Sequence, residues 1–211
     1  MTQIDLREGI VETVRALAAH NLNRGTAGNV SARWGDGFLV TPTGLDSDEM
    51  QPGDIVPMAM DGGWHGARKP SSEWRFHRDL YAARSEAGAI VHAHAPFATA
   101  LACLRADIPP FHYMIARFGG ATVRCAAYAT FGTQALSDAA LAALEGRCAC
   151  LLANHGMLAF GRDLRHALAL AVEFESLCEQ YWRALQVGRP VLLSDAEMET
   201  VLEEFRTYGQ S

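Results

Sequence analysis

Apolar residues recur at helical spacing over residues 4–20, where Leu6, Ile10, Val11, Val14, Leu17 and Ala18 form one stripe and Asp5, Arg7, Glu8, Glu12 and Arg15 the opposite face. This predicts an amphipathic opening helix. Residues 23–34 are a glycine-punctuated turn running into a strand. Gly35-Asp36-Gly37 reverses it and Phe38-Leu39-Val40-Thr41 answers, a hairpin signal. A further strand over 55–60 is turned by Asp61-Gly62-Gly63, with 64–67 as its candidate partner. Ser71 and Ser72 read as the cap of a helix carrying Trp74, Phe76, His77, Leu80 and Tyr81. Ala89-Ile90-Val91 begins a strand that continues through His92 and His94. Pro96 opens a helix through Phe97, Leu101 and Leu104, which Pro109-Pro110 breaks. Residues 122–125 and 149–152 read as strands and 138–144 as a helix. Residues 165–187 read as one long helix with the stripe Leu168, Ala171, Phe174, Cys178, Tyr181 and Leu185, and Ser194-Asp195 caps a final helix that gives out near Tyr208. No repeat, low-complexity tract or linker interrupts the pattern. The expectation is one domain over 1–211, of the α/β class in its α+β form, with a central, mostly antiparallel sheet flanked by helices.

Composition narrows the classes. With 211 residues, 49% hydrophobic and 20% charged, the chain has a globular composition and enough length for a full core. No apolar run reaches the length of a spanning helix, and the first eight residues lack the basic and apolar regions of a signal peptide, so a cytoplasmic protein without membrane partners is expected. A net charge of -6 with scattered basic residues argues against nucleic acid. The five cysteines are odd in number and show no C-x-x-C spacing, so they read as reduced, and Cys148 and Cys150 read as small buried hydrophobes. Lys69 is the single lysine, so a Schiff-base mechanism would have one candidate.

Of the eight histidines, His92 and His94 alternate on one strand and therefore share a face. With Glu73 in the first turn of the preceding helix they form most of a metal site, and zinc is the metal that most often takes such a set. His155, at the end of an apolar strand and followed by Gly156, is the best candidate for the third imidazole. His20, His65, His77, His112 and His166 have no partner at ligand spacing and take solvated or packed roles by default. Zinc chelating a hydroxyketone would stabilise an enediolate, and a Glu73 able to leave the metal could take or return the proton at the neighbouring carbon. Residues 25–29 and 41–44 lie at one end of the hairpin, and with Ser71 and Ser72 they read either as ordinary turns or as a nest of amides and hydroxyls for a phosphate.

The segments NRGTAGNVSAR (23–33), TPTG (41–44), PSSEWRF (70–76), VHAH (91–94), HYMIA (112–116), YATFGT (128–133), NHG (154–156) and TYG (207–209) together resemble the class II aldolase/adducin family. The resemblance covers nearly the whole chain and is greatest to members acting on L-fuculose 1-phosphate. It implies zinc bound by Glu73, His92, His94 and His155, and a substrate phosphate held by Gly28, Asn29, Thr43, Gly44, Ser71 and Ser72. It further implies Glu73 as acid/base, and Tyr113 of a neighbouring subunit as proton donor to the aldehyde oxygen. Phe131 and Tyr208 would wall the aldehyde side. The implied activity is reversible cleavage of L-fuculose 1-phosphate to dihydroxyacetone phosphate and L-lactaldehyde, in a homotetramer with sites at subunit contacts. Two positions depart from the family pattern: Ala93, where a polar residue is expected, and Asn154, where a histidine is more usual. A sugar-phosphate epimerase, dehydratase or decarboxylase on the same fold, a non-catalytic adducin-like module, and a lysine-based aldolase using Lys69 are the alternatives.

Overall fold

The computed structural model describes residues 2–207, and the opening stripe forms the inner face of α1 (Gln3–Ala19), whose first turn is capped by the Thr2 side chain accepting from the Asp5 amide. The hairpin follows as β1 (Asn29–Trp34) and β2 (Gly37–Val40), then β3 (Val56–Met58) after a 3-10 turn at Pro52–Asp54. Next come α2 (Trp74–Ala83), β4 (Ala89–Ala93), α3 (Pro96–Ala102) and a 3-10 turn at Tyr113–Phe118. The chain ends with β5 (Cys125–Ala126), α4 (Gln134–Ala143), β6 (Ala149–Leu152), β7 (Gly156–Gly161), α5 (Leu164–Val187) and α6 (Asp195–Thr207).

The strands form a seven-stranded sheet in the order β3-β2-β1-β4-β7-β6-β5. Only the β5–β6 pairing is parallel, so the sheet is mixed and mostly antiparallel. Strand alternation divides the core between its two faces. Val30, Ala32, Ala89, Val91, Ala93, Leu151, Met157 and Ala159 pack with residues of α1, α3 and α5. Ile90, Cys150, Leu152, Leu158 and Phe160 pack with residues of α2 and α4. His92 shares the second face with Ile90, two residues earlier on β4. The small β4 residues Ala89 and Ala93 face a long helix that presents Ala167 and Ala171, so backbone layers can approach closely.

Register decides where the loops meet. Asn29 pairs with His92, Ala93 with Met157, Leu152 with Gly156, and Ala126 with Leu152. The segments before β1, after β2, after β4 and after β5, together with the β6–β7 turn, therefore gather at one end of the sheet. Bridges between Pro42 and Pro70, and hydrogen bonds from the Thr43 amide to the Lys69 carbonyl (3.1 Å) and the Ser71 amide to the Thr41 carbonyl (2.9 Å), bring the start of α2 to the same end.

Several local expectations change. β7 carries no strand signal in the sequence because all six of its residues are buried, which erases the period-2 alternation. The α2 helix begins one residue later than the Ser71-Ser72 reading: Glu73 is its N-cap, and the carboxylate makes no capping hydrogen bond because it is turned toward the histidines. α4 starts earlier, at Gln134, where the Thr133 side chain accepts from the Leu136 amide. The strand at 122–125 contracts to Cys125–Ala126 with a lone bridge from Val123 to Ile108, and 64–67 contributes only the Trp64 bridge to Met58. Tyr208 lies outside the described residues. Among those described, the five cysteines are free and no helix is long and apolar enough to cross a membrane.

Candidate active site

His92 is fully buried at the end of β4, and its Nδ1 faces the Met157 carbonyl at 2.8 Å. A carbonyl only accepts, so Nδ1 carries the hydrogen and the Nε2 lone pair is directed inward. His94 stands just beyond the strand, its backbone amide donating to Asn23 Oδ1 at 2.9 Å. His155 sits in the turn between β6 and β7. Asn154 beside it takes a left-handed φ of 54°, a conformation asparagine tolerates, and accepts from Arg105 Nε at 2.6 Å. Gly156 admits this approach, because a Cβ there would lie 2.5 Å from the Ala93 carbonyl oxygen and 3.2 Å from the His94 ring. The three rings meet edge-on with centroids 4.7–4.9 Å apart, and their ligand nitrogens lie within 4.8 Å of one another.

Glu73 closes the group from the α2 side. Its Oε2 is 3.2 Å from His92 Nε2 and accepts from Asn29 Nδ2 at 3.0 Å, while Oε1 is 3.3 Å from His155 Nε2 and accepts no hydrogen bond. Burial pushes this carboxyl up, but His92, His155 and the Asn29 amide outweigh it and hold the group at about 2. Burial, reinforced by the neighbouring His92, draws His94 and His155 down to about 4, so both rings are neutral at pH 7 and able to act as ligands. A proton shared between His92 and His94, whose Nε2 atoms are 3.1 Å apart, satisfies that contact but leaves the buried Oε1 of Glu73 without a donor. A cation among the four groups satisfies all of them, and three imidazoles with one carboxylate suit a divalent ion.

These groups border a cleft of about 310 Å³. Gly28, Asn29, Thr43, Gly44, Ser71, Ser72, Glu73, His94, His155 and Phe131 line it, so most of the expected site residues come together. His92 lies behind it. Tyr113 is on the 3-10 turn, 51% exposed and stacked on His112, and is absent from the lining. Exposed Lys69 is also outside the lining. The Thr43 and Ser71 amides are spent tying the loops together, so the hydroxyls and glycine backbone are what line the polar end. Tyr128, Ala129 and Phe131 form an apolar rim held to α2 by Arg75, which donates to the Gly132 carbonyl at 2.7 Å.

Sequence reasoning missed Asn23, Tyr128 and, above all, His77. That histidine is fully buried behind Glu73, four residues along the same helix, and this i,i+4 spacing was the available signal. Burial holds it at about 3, below its ordinary 6.5. Stability from a neutral buried histidine is fully present above pH 6.5 and is lost as pH falls toward 3, because only the unfolded chain takes the proton in that window. The expected slope from this group is about 1.4 kcal/mol per pH unit. Urea unfolding of metal-free protein from pH 7.5 to 5 checks it: replacing His77 by leucine should flatten the profile, and an unchanged slope would refute the assignment.

A family model described as Class II Aldolase and Adducin N-terminal domain matches residues 8–182. Over 210 residues the chain is 57% identical to a 5-methylthioribulose-1-phosphate/5-deoxyribulose-1-phosphate aldolase of Rhodospirillum rubrum, covering 100% of this chain and 95% of that protein. It is 45% identical over 210 residues to the L-fuculose phosphate aldolase of Escherichia coli, covering 99% and 98%. A solved L-fuculose 1-phosphate aldolase superimposes with a TM-score of 0.92 at 42% identity, covering 96% of each chain.

Proposed function

The chain belongs to the class II aldolase and adducin family, and from that premise we propose that it is a zinc-dependent aldolase, one domain over 1–211, that reversibly cleaves a ketose 1-phosphate between C3 and C4. The observation carrying this reading is a single cleft lined by Glu73, His94 and His155, with His92 completing their cluster from behind, and by the hydroxyl- and glycine-rich loops. His92, His94, His155 and Glu73 would hold the cation. When bound, it supplies electrophilic stabilisation of the negative charge that develops on the ketone and hydroxyl oxygens.

The remaining work falls to the chain. Gly28, Thr43, Gly44, Ser71 and Ser72 bind the phosphate, with φ of +73° and +68° at the two glycines turning backbone toward it. In the condensing direction Glu73 takes a proton from C3 of dihydroxyacetone phosphate, C3 bonds to the aldehyde carbon, and Tyr113 of a neighbouring copy gives its proton to the aldehyde oxygen. Cleavage is the reverse. The exposure of Tyr113 and its absence from the lining of its own chain's cleft support this crossing, which needs an oligomer, and a homotetramer is the assembly we propose from the family resemblance.

The aldehyde end favours 5-methylthioribulose 1-phosphate or 5-deoxyribulose 1-phosphate as substrate. Cleavage of these releases aldehydes with no hydroxyl beside the carbonyl, which suits the rim of Tyr128, Ala129 and Phe131, and the relative at 57% identity acts on them by name. L-Fuculose 1-phosphate is the second reading, supported by the 45% relative and the solved neighbour. Release of dihydroxyacetone phosphate by zinc-loaded protein from each of the three substrates tests this. The 5-substituted ribulose phosphates should give the highest kcat/KM. A higher value for L-fuculose 1-phosphate would reverse the ranking, and epimerised, dehydrated or decarboxylated products by NMR would replace the aldolase reading altogether.

A further inference from the structure

We infer that His77 and Asn29 are positioning residues for Glu73, the last members of a one-way line of hydrogen bonds that starts at Tyr81. The inference rests on Glu73 being the proton-transferring group proposed above, while its geometry is independent of any substrate.

The direction of the line follows by elimination. Asn29 Nδ2 donates to Glu73 Oε2 at 3.0 Å, so the Asn29 Oδ1 end meets His77 Nε2, at 2.5 Å. Oδ1 can only accept, so His77 Nε2 carries the hydrogen. The neutral ring then has its lone pair on Nδ1, which accepts from the Ser31 hydroxyl at 2.7 Å. Having given its hydrogen, Ser31 Oγ accepts from the Tyr81 hydroxyl at 2.8 Å. Tyr81, Ser31, His77, Asn29 and Glu73 are each at most 7% exposed, so water does not compete for these bonds.

Two regular elements hold the line. Asn29 and Ser31 are alternate residues of β1 and share its face, while His77 and Tyr81 are one turn apart on α2. A carboxylate that leaves its place and returns needs a donor waiting there. An unsupported asparagine can turn its amide over and present oxygen, which would repel the carboxylate. The His77 N–H removes that option, because a turned amide would set two N–H groups against each other. Asn29 is thereby committed through its side chain to Glu73 rather than to a phosphate.

His77→Leu should lower kcat for ketose 1-phosphate cleavage by about 10–100-fold with KM within about two-fold. His77→Gln, which keeps an N–H toward Asn29, should recover most of the loss. In a Glu73→Gln background His77→Leu should cost nothing further, since its effect passes through Glu73. Nitrogen-15 imidazole spectra of the metal-free wild type should show His77 neutral with its hydrogen on Nε2. Hydrogen on Nδ1, a folded His77→Leu protein with wild-type kcat, or additive losses in the double variant would each overturn the inference. If His77→Leu does not fold, the glutamine variant and the spectra decide. A wild type that cleaves no ketose 1-phosphate would refute the proposed function while leaving the tautomer result to stand.

Discussion

Glu73→Gln is expected to lower kcat by about 10²–10⁴-fold in metal-saturated protein, the range that a positioned acid–base group contributes. The replacement is nearly isosteric, and a glutamine oxygen can still accept from Asn29 Nδ2, so the fold and the phosphate end of the cleft should survive. What disappears is a carboxylate whose pKa lies at about 2, and which is therefore ionised at pH 7 despite its burial, with Asn29 Nδ2 donating to it. An amide has no comparable affinity for the proton at C3. Loss of the negative charge also weakens cation binding, so metal content must be measured on the same sample. A partial reaction separates the two effects: wild-type protein should exchange one C3 hydrogen of dihydroxyacetone phosphate for deuterium without any aldehyde, and Glu73→Gln should not. A metal-loaded variant that exchanges at the wild-type rate removes Glu73 from proton transfer.

Why Glu73 and the histidines could be read from the chain, and their support could not, is a matter of sequence distance. His92 and His94 advertise themselves because an apolar strand rarely carries two imidazoles on one face, and Gly156 after His155 marks a close backbone approach. The long amphipathic helices were equally plain: residues 165–187 foretold Leu164–Val187 almost to the residue. β7 was invisible because burial on both faces leaves no alternation to detect. His77 was passed over because its partners, Asn29 and Ser31, are 48 and 46 residues away and reach it only through the pairing of β1 beneath α2. Asn154 looked like a departure from a histidine, yet the turn needs a residue that accepts a left-handed φ, and its oxygen takes the Arg105 hydrogen bond. Ala93 is also accounted for: it is fully buried between β1 and β7 on the crowded face of the sheet, where a polar side chain would lack a partner.

His92→Ala should abolish stoichiometric metal binding, with an affinity loss beyond the roughly 10–100-fold typical of a residue that only supports a ligand. Among the three imidazoles it is the one with no exposure, and its Nδ1 hydrogen bond to Met157 fixes the ring at the deepest point of the site. Its Nε2 lies near both His94 and Glu73, so its loss opens two contacts of the cluster at once. The same burial predicts a second effect that is independent of metal. Alanine leaves the Met157 carbonyl without its donor, costing about 1–3 kcal/mol, and adds a void beneath Phe76, whose ring centroid is 5.5 Å from that of His92. His94→Ala, at an exposed position, should also lose metal but keep most of the metal-free stability. Elemental analysis after dialysis and urea unfolding of both apo variants check the pair of effects. One metal per chain retained by His92→Ala would remove it from the ligand set, and equal apo stabilities would refute the argument from burial.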